Sequence, residues 1–399
     1  MKILATADDS GSLKLLECFR GTDTSKQTAT QPTSITIHCT ESRSTKILQF
    51  IVFENKYIIA TRLGGSICIY NLSDYELVNK FGGLTSDDKE NFISLFQLED
   101  LCYACTNNGQ VIIIKPDVEE KQKEKYPIKI QLPGCSKGNV NCFKNDPYHE
   151  QVFGYGGKEN DLKLVKLSTK SPEKIETLFK AKNVKNSKLD LRVPIHITKL
   201  DFVKPANEKD FNVITVTRYG QLRIYDSSKS RKPVASMKIS EHSIISLLRV
   251  SNEEIVCSDD HTTIAKYSTV DGRLLGKFKG SVGSIQASCQ LGKVIATGGL
   301  DRYVRVFDLD SRECIVKCYM TSHISGVLIL EDDKNVQEEV EAAEREKRAR
   351  TEDKEGDDNA SEESEQESSD EEEMWARLET NKVVEKRKRR KLELKAFKK

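Results

Sequence analysis

The sequence predicts an all-β fold, a seven-bladed β-propeller followed by a charged C-terminal tail that is largely disordered with some helix. Three observations carry this reading. One hairpin pattern recurs seven times before residue 310: an apolar run, a turn rich in Gly, Asp or Asn, and a strand of alternating apolar residues. The units fall roughly 47 residues apart, close to the ~40–45 of a four-stranded blade plus its loops. Helix-type periodicity is nearly absent before residue 333.

The units read in order as 5–18 (ATADDSGSLKLLEC), 59–72 (IATRLGGSICIYNL), 103–116 (YACTNNGQVIIIKP), 153–167 (FGYGGKENDLKLVKL), 214–227 (ITVTRYGQLRIYDS), 256–269 (VCSDDHTTIAKYST) and 295–309 (IATGGLDRYVRVFDL). In each, the second strand ends near an aliphatic or aromatic residue: Leu16, Tyr70, Ile114, Val165, Tyr225, Tyr267 and Phe307. Paired glycines in the last unit are expected to let the backbone visit positive φ, with Asp301 bonding its own turn amides. Further apolar runs stand between the hairpins and supply innermost strands, among them 46–53 (KILQFIVF), 92–98 (FISLFQL), 197–203 (ITKLDFV) and 244–250 (IISLLRV). Sheets repeated radially bury their faces against neighbouring blades, so short strands and 37% hydrophobic residues suffice.

The ends close the ring. The first hairpin lacks an inner strand before it. Residues 314–320 (CIVKCYM) fit the outer strand of blade seven, and 323–330 (HISGVLIL) fit the missing inner strand of blade one. The units resemble WD40 repeats in degenerate form. Asp301 and Phe307-Asp308 keep the repeat's turn-to-aromatic spacing, with Phe in place of Trp, and His242 and His323 stand where the repeat places its His. Both histidines are expected to be structural, bonding within a blade.

Composition excludes several classes. The net charge of +1 conceals an asymmetry: 331–373 holds 21 acids and 6 bases (−15), 374–399 holds 11 bases and 3 acids (+8), and the remaining body is therefore +8. No apolar stretch reaches the ~18 residues of a membrane span, and no signal peptide is evident, so a soluble protein of a reducing compartment is expected. Most of the eleven cysteines lie in strand-like apolar runs. Cys102 and Cys105 sit within one strand, where positions i and i+3 face opposite ways, so they read as buried thiols and not as half a zinc site. No phosphate loop, nucleophile elbow or HExxH motif occurs, and Gly156-Gly157-Lys158 opens a strand where a phosphate loop needs a helix. Neither an enzyme, a cofactor, a metal, a membrane nor a small-molecule substrate is expected.

Three segments depart from the blade pattern. Residues 22–34 read as a disordered excursion, and 117–129 and 180–188 as charged, solvated loops. Beyond the propeller, taken as 1–331, residues 332–373 read as an acidic helix (336–350) and a disordered linker, with acidophilic-kinase patterns at Ser364, Ser368 and Ser369. The basic tail, 374–399, carries six consecutive cations, Lys386, Arg387, Lys388, Arg389, Arg390 and Lys391, the pattern of a nuclear import signal and of a contact to RNA phosphates.

What the propeller offers is a ring of turns on one face. Arg62, Lys158, Arg218 with Tyr219, and Arg302 put cations beside the turns and, with Glu159 and Asp301, make up the expected partner-binding rim, suited to an acidic protein or an RNA backbone. The paired-glycine units GGKENDLKLVKL (156–167) and GGLDRYVRVFDL (298–309), together with the late basic cluster, resemble the nucleolar WD-repeat assembly factors of the large ribosomal subunit, the Nop-seven-associated proteins of fungi and WD repeat protein seventy-four of vertebrates. That resemblance implies a seven-bladed WD40-type scaffold without enzymatic activity, located in the nucleus and nucleolus. It implies binding to the protein and RNA of precursors of the large (60S) subunit and release by an AAA ATPase. Its matching positions are Gly156, Gly157, Lys158 and Glu159, then Gly299, Asp301 and Arg302. The rival expectation is a WD-repeat adaptor of a ubiquitin ligase or chromatin complex.

Overall fold

The computed structural model describes residues 1–87, 89–116, 126–168, 174–186 and 189–333. The expected acidic helix, linker and basic cluster lie outside these residues, as do parts of the loops at 117–129 and 180–188.

Among the described residues, twenty-eight strands follow one another with a single 3-10 turn, Arg43–Thr45, between them. Blade one takes β1 (Lys2–Ala7), β2 (Ser12–Glu17) and β3 (Ser34–His38); blade two takes β4 (Ile47–Phe53), β5 (Tyr57–Arg62), β6 (Ser66–Asn71) and β7 (Leu77–Phe81). Blade three is β8 (Phe92–Leu98), β9 (Leu101–Thr106), β10 (Gln110–Ile114) and β11 (Ile128–Gln131); blade four is β12 (Cys142–Asn145), β13 (Val152–Gly157), β14 (Asn160–Leu167) and β15 (Ile175–Lys180). Blade five is β16 (Ile197–Val203), β17 (Asn212–Thr217), β18 (Gln221–Asp226) and β19 (Ala235–Lys238); blade six is β20 (Ile244–Arg249), β21 (Glu254–Asp259), β22 (Ile264–Ser268) and β23 (Leu274–Phe278). Blade seven is β24 (Ile285–Leu291), β25 (Val294–Gly299), β26 (Tyr303–Asp308) and β27 (Cys314–Tyr319), and β28 (Val327–Glu331) returns to blade one. Each blade is a four-stranded antiparallel meander, so the expected seven-bladed propeller is the observed fold.

β28 pairs antiparallel with β1, setting Ile3 opposite Ile329 and Ala5 opposite Val327, so the ring closes by joining its two ends. The strand begins at Val327, four residues later than the apolar run suggested. The aromatic and aliphatic strand-end residues are buried: Leu16, Ile114, Val165 and Phe307 are fully enclosed, with Tyr70, Tyr225 and Tyr267 nearly so. A side chain of this size contributes about 1.5–3 kcal/mol on burial. Cys102 and Cys105 join two different core clusters, as the alternation of β9 requires. Burial pushes both thiols well above their ordinary pKa, which keeps them protonated.

The paired glycines owe their place to crowding. Gly156, Gly157, Gly298 and Gly299 lie in strands, and none has positive φ; in these two units it is Glu159 (φ 50°) and Arg302 (φ 65°) that turn left-handed. A Cβ on Gly157 would stand 2.3 Å from the Asn139 carbonyl oxygen, and one on Gly299 would stand 2.3 Å from that of Ser284. The backbones approach too closely for any other residue.

Residues 22–34 are a second correction, since they form an ordered loop against blade seven. The Thr24 amide donates to the Lys317 carbonyl at 2.9 Å, the Lys317 amide donates to Thr22 at 2.8 Å, and Thr24 Oγ1 accepts from the Tyr319 amide at 2.8 Å. A polar composition is no bar to order here, because the loop satisfies the open edge of β27.

Buried and half-buried cations join blade to blade. Lys14 in β2 donates to Met320 O and Thr321 Oγ1, both at 2.6 Å, in the segment leaving blade seven. Lys163 in β14 donates to Gly134 O at 3.3 Å beyond blade three, and Arg223 in β18 to Asn183 Oδ1 at 3.3 Å beyond blade four.

Candidate partner-binding rim

The turn after the second strand of a blade is held in the same way in six blades. One turn amide donates to the lead-in of that blade's inner strand, in five blades to the residue just before it: Leu63 to Lys46, Asn107 to Asn91, Arg218 to His196, Asp260 to Ser243 and Leu300 to Ser284, and in blade one Asp8 to His323, four residues before β28, at 2.8–3.0 Å. Turns and inner-strand lead-ins therefore share one face. Blade four breaks the rule. Its Glu159 amide donates to Ile195 at 2.9 Å, and Lys158 bridges to His196, both at the lead-in of blade five.

That departure brings Lys158 and Arg218 together around His196. Both are exposed, and Tyr219 beside them is 41% exposed. His196 is buried, and Asn141 Nδ2 lies 2.9 Å from its Nε2. Burial first, then Arg218 and Lys158, hold its pKa below the usual histidine range, so the ring stays neutral and accepts the Asn141 proton. Glu159 is exposed and pairs with Arg192 at 3.1 Å. The result is a cationic patch with an amide, an imidazole and an aromatic ring at its centre. Leu189 and Leu191 are exposed in the segment leading to it.

Arg302 is exposed on the same face but belongs to a separate group at the boundary of blades seven and one. It faces Asp9, whose carboxyl is held below its usual pKa by the His323 amide, the Ser322 hydroxyl and the charges of His323 and Arg302. Beside it lies a cavity of about 310 Å³ lined by Asp8, Asp9, Arg43, Lys46, Leu63, Leu300 and His323.

Two expected rim residues are not on the rim. Arg62 is fully buried. Its guanidinium donates to Gly11 O (2.8 Å), Thr45 O (2.9 Å), Cys39 O (2.6 Å) and Tyr70 Oη (2.7 Å), and Nε lies 3.5 Å from Glu41. Asp301 turns inward, pairing at 2.7 Å with the buried Arg305 and accepting from the Val282 amide. Both sit beside a turn, but partners draw their side chains inside: neighbouring segments for Arg62, and for Asp301 the connector amide of Val282 together with Arg305 of its own hairpin.

The two WD-position histidines each keep to their own blade, six and one. His242 is exposed and stacks on His261 with ring centroids 3.7 Å apart, while the His323 amide donates to Asp9 at 3.3 Å. His242, Asp260 and His261 are the one group among the described residues whose ligand atoms lie close enough for a metal ion, and all three are exposed. Among those residues too, no helix is long and apolar enough to cross a membrane. His196, Asn141 and Arg192 were not legible as site residues; the one signal was a histidine just before the apolar run of β16, the place the repeat gives its own.

No family model matches the chain. It is similar to ribosome biogenesis protein NSA1 of Meyerozyma guilliermondii, 34% identical over 368 residues that cover 83% of this chain and 91% of that protein. The protein of that name in Candida glabrata is 28% identical over 449 residues, covering 96% and 99%. In Saccharomyces cerevisiae it is 25% identical over 417 residues, covering 83% and 89%. Among solved structures, the WD40 β-propeller domain of Doa1 matches with a TM-score of 0.54 at 11% identity, over 72% of this chain and 86% of that one. Saccharomyces cerevisiae Sqt1 matches with a TM-score of 0.52 at 11% identity, over 71% and 77%. At that identity these two speak for the fold alone.

Proposed function

Since the chain belongs to the ribosome biogenesis protein NSA1 family, we propose that it is a non-enzymatic propeller scaffold in the making of the large (60S) ribosomal subunit. It binds precursor particles in the nucleolus through protein and RNA contacts and is released from them by an AAA ATPase. The observation that carries the reading is likeness to NSA1 proteins along most of both chains. The rim adds a physical means. Lys158 and Arg218, exposed and joined through His196, form a patch for phosphates or acidic side chains. Tyr219, Leu189 and Leu191 add the apolar component of a protein contact. Arg302 serves a second, smaller contact. The propeller, 1–331, carries these surfaces; the acidic segment, 332–373, spaces it from the basic tail, 374–399, where Lys386 to Lys391 direct import and add RNA affinity.

The test is sedimentation of a tagged chain with affinity purification of its partners. Large-subunit precursors and their proteins are the expected companions, and Lys158→Glu with Arg218→Glu weakens affinity for the particle about tenfold, equivalent to about 1.4 kcal/mol. Recovery of ubiquitin-ligase or chromatin subunits without ribosomal proteins establishes the adaptor reading in its place. Deleting 386–391 is expected to remove nucleolar accumulation and leave the propeller folded.

A further inference from the structure

The channel along the propeller axis holds a cation unlike the others. Lys14, Arg62, Lys163, Arg223 and Arg305 each reach oxygens of their own or a neighbouring blade. The Lys199 ammonium has no hydrogen bond and no ion pair among the described residues, although its backbone pairs with β17. Beside it stand Lys144, which repels it and is itself paired with Asp201 at 2.8 Å, and the Cys142 thiol, which burial keeps neutral by pushing its pKa up to about 12. Protein surrounds Lys199 except where the channel opens to water, leaving it half-buried.

Its place is set by a feature that recurs around the ring. Five inner strands carry a register shift after their first residue, and the residue that resumes the pairing is Gln49, Ser94, Lys199, Ser246 or Ala287. Only blade five puts a charge there. Two adjoining cavities of about 210 and 180 Å³, lined by residues from all seven inner strands or their lead-ins, share Gln49, Lys199 and Leu247. Ser288 and Ser325 line the first and Ser94 the second; Ser94 Oγ is buried without a hydrogen-bond partner.

We propose that Lys199 is the cation of an axial anion site that takes a phosphate group. An ammonium without a counter-charge in a confined channel destabilises the fold, whereas an anion beside it removes that cost. A tetrahedral anion has oxygens enough for the Lys199 ammonium, the Gln49 amide and hydroxyls on several blades, where a planar carboxylate has two. Cavities of this size hold a phosphate with a few waters, each water taking about 30 Å³. Burial lowers the Lys199 pKa, as expected of a cation awaiting a partner.

The experiment uses the full chain, with inorganic phosphate, glycerol phosphate and acetate compared at ionic strength matched with chloride. Titration calorimetry and thermal unfolding are the readouts. Inorganic phosphate is expected to bind and to raise the midpoint. Lys199→Met weakens that binding about tenfold or more, Lys199→Arg retains it, and Lys199→Met without phosphate is no less stable than the parent. Binding of glycerol phosphate as well means that the site accepts a phosphoryl group on a larger molecule; binding of inorganic phosphate alone means a free ion. Affinity unchanged in Lys199→Met places the anion elsewhere, such as the basic run at 386–391, and overturns the proposal. So does equal stabilisation by acetate, or a fall in stability for Lys199→Met, which makes Lys199 structural.

Discussion

Arg62→Met should be among the costliest single changes in the propeller. The substitution keeps much of the apolar stem and removes the guanidinium. Four hydrogen bonds vanish, to Gly11, Thr45, Cys39 and Tyr70, and Glu41 loses one of its two cationic partners, retaining Lys80 at 2.8 Å. Three of the abandoned acceptors are backbone carbonyls at the junction of blades one and two, in a site where the lost side chain had no solvent exposure. Each buried acceptor left unpaired costs about 1–3 kcal/mol, and water admitted to the space returns part of it. The sum is about 3–5 kcal/mol, the range for breaking a buried charged network. Urea unfolding followed by fluorescence or circular dichroism measures it as a drop in midpoint at unchanged slope. Arg302→Met, on an exposed turn, is the control and should fall within ±0.5 kcal/mol. If Arg62→Met costs less than about 1 kcal/mol, or no more than Arg302→Met, the assignment of Arg62 to blade joining and away from the rim is wrong.

Gly157→Ala places a methyl group 2.3 Å from the Asn139 carbonyl oxygen and 2.7 Å from the Asn141 amide nitrogen, so a loss of about 1–3 kcal/mol is expected in the same assay, while Gly82→Ala, with open space around it, leaves the midpoint in place. His196 ties stability to pH. Its folded pKa lies below the ordinary value of 6.5, so the unfolded chain takes up a proton first; its contribution is complete above 6.5 and is lost as pH falls toward the folded pKa. His196→Gln should flatten the stability profile between about pH 7 and 5, and an NMR titration that finds the His196 pKa at or above 6.5 contradicts the neutral ring described for the rim.

The fold was legible because its signals are local. Alternation with period two, turn residues at fixed offsets and a repeat length near that of a blade mark every hairpin, and the two terminal runs point to the closing pair β28 and β1. The candidate site was legible only in part. Lys158, Arg218, Tyr219 and Arg302 were placed at exposed turns and are there. Arg62 and Asp301 look the same in sequence, yet neighbouring segments claim them. Gly299 was expected to serve positive φ and instead serves close approach, as Gly157 does, a contact made with residues of the inner-strand lead-in. Lys199 lies in an ordinary apolar run, ITKLDFV, and nothing in its neighbours along the chain tells that it stands unpaired on the axis.

The sequence alone therefore determined the class of fold, the number of blades and the way the ring closes, because each depends on which face of a strand is apolar and on turn chemistry within a few residues. Tertiary structure alone decided which charges meet solvent, which meet one another and which are left without a partner. Those outcomes depend on the blade next door: the turn of blade four reaches blade five and joins Lys158 to Arg218, while the connector from blade one encloses Arg62. For Arg62, Lys158 and Lys199, burial and pairing are set by atoms far away in the chain, and no local pattern encodes them.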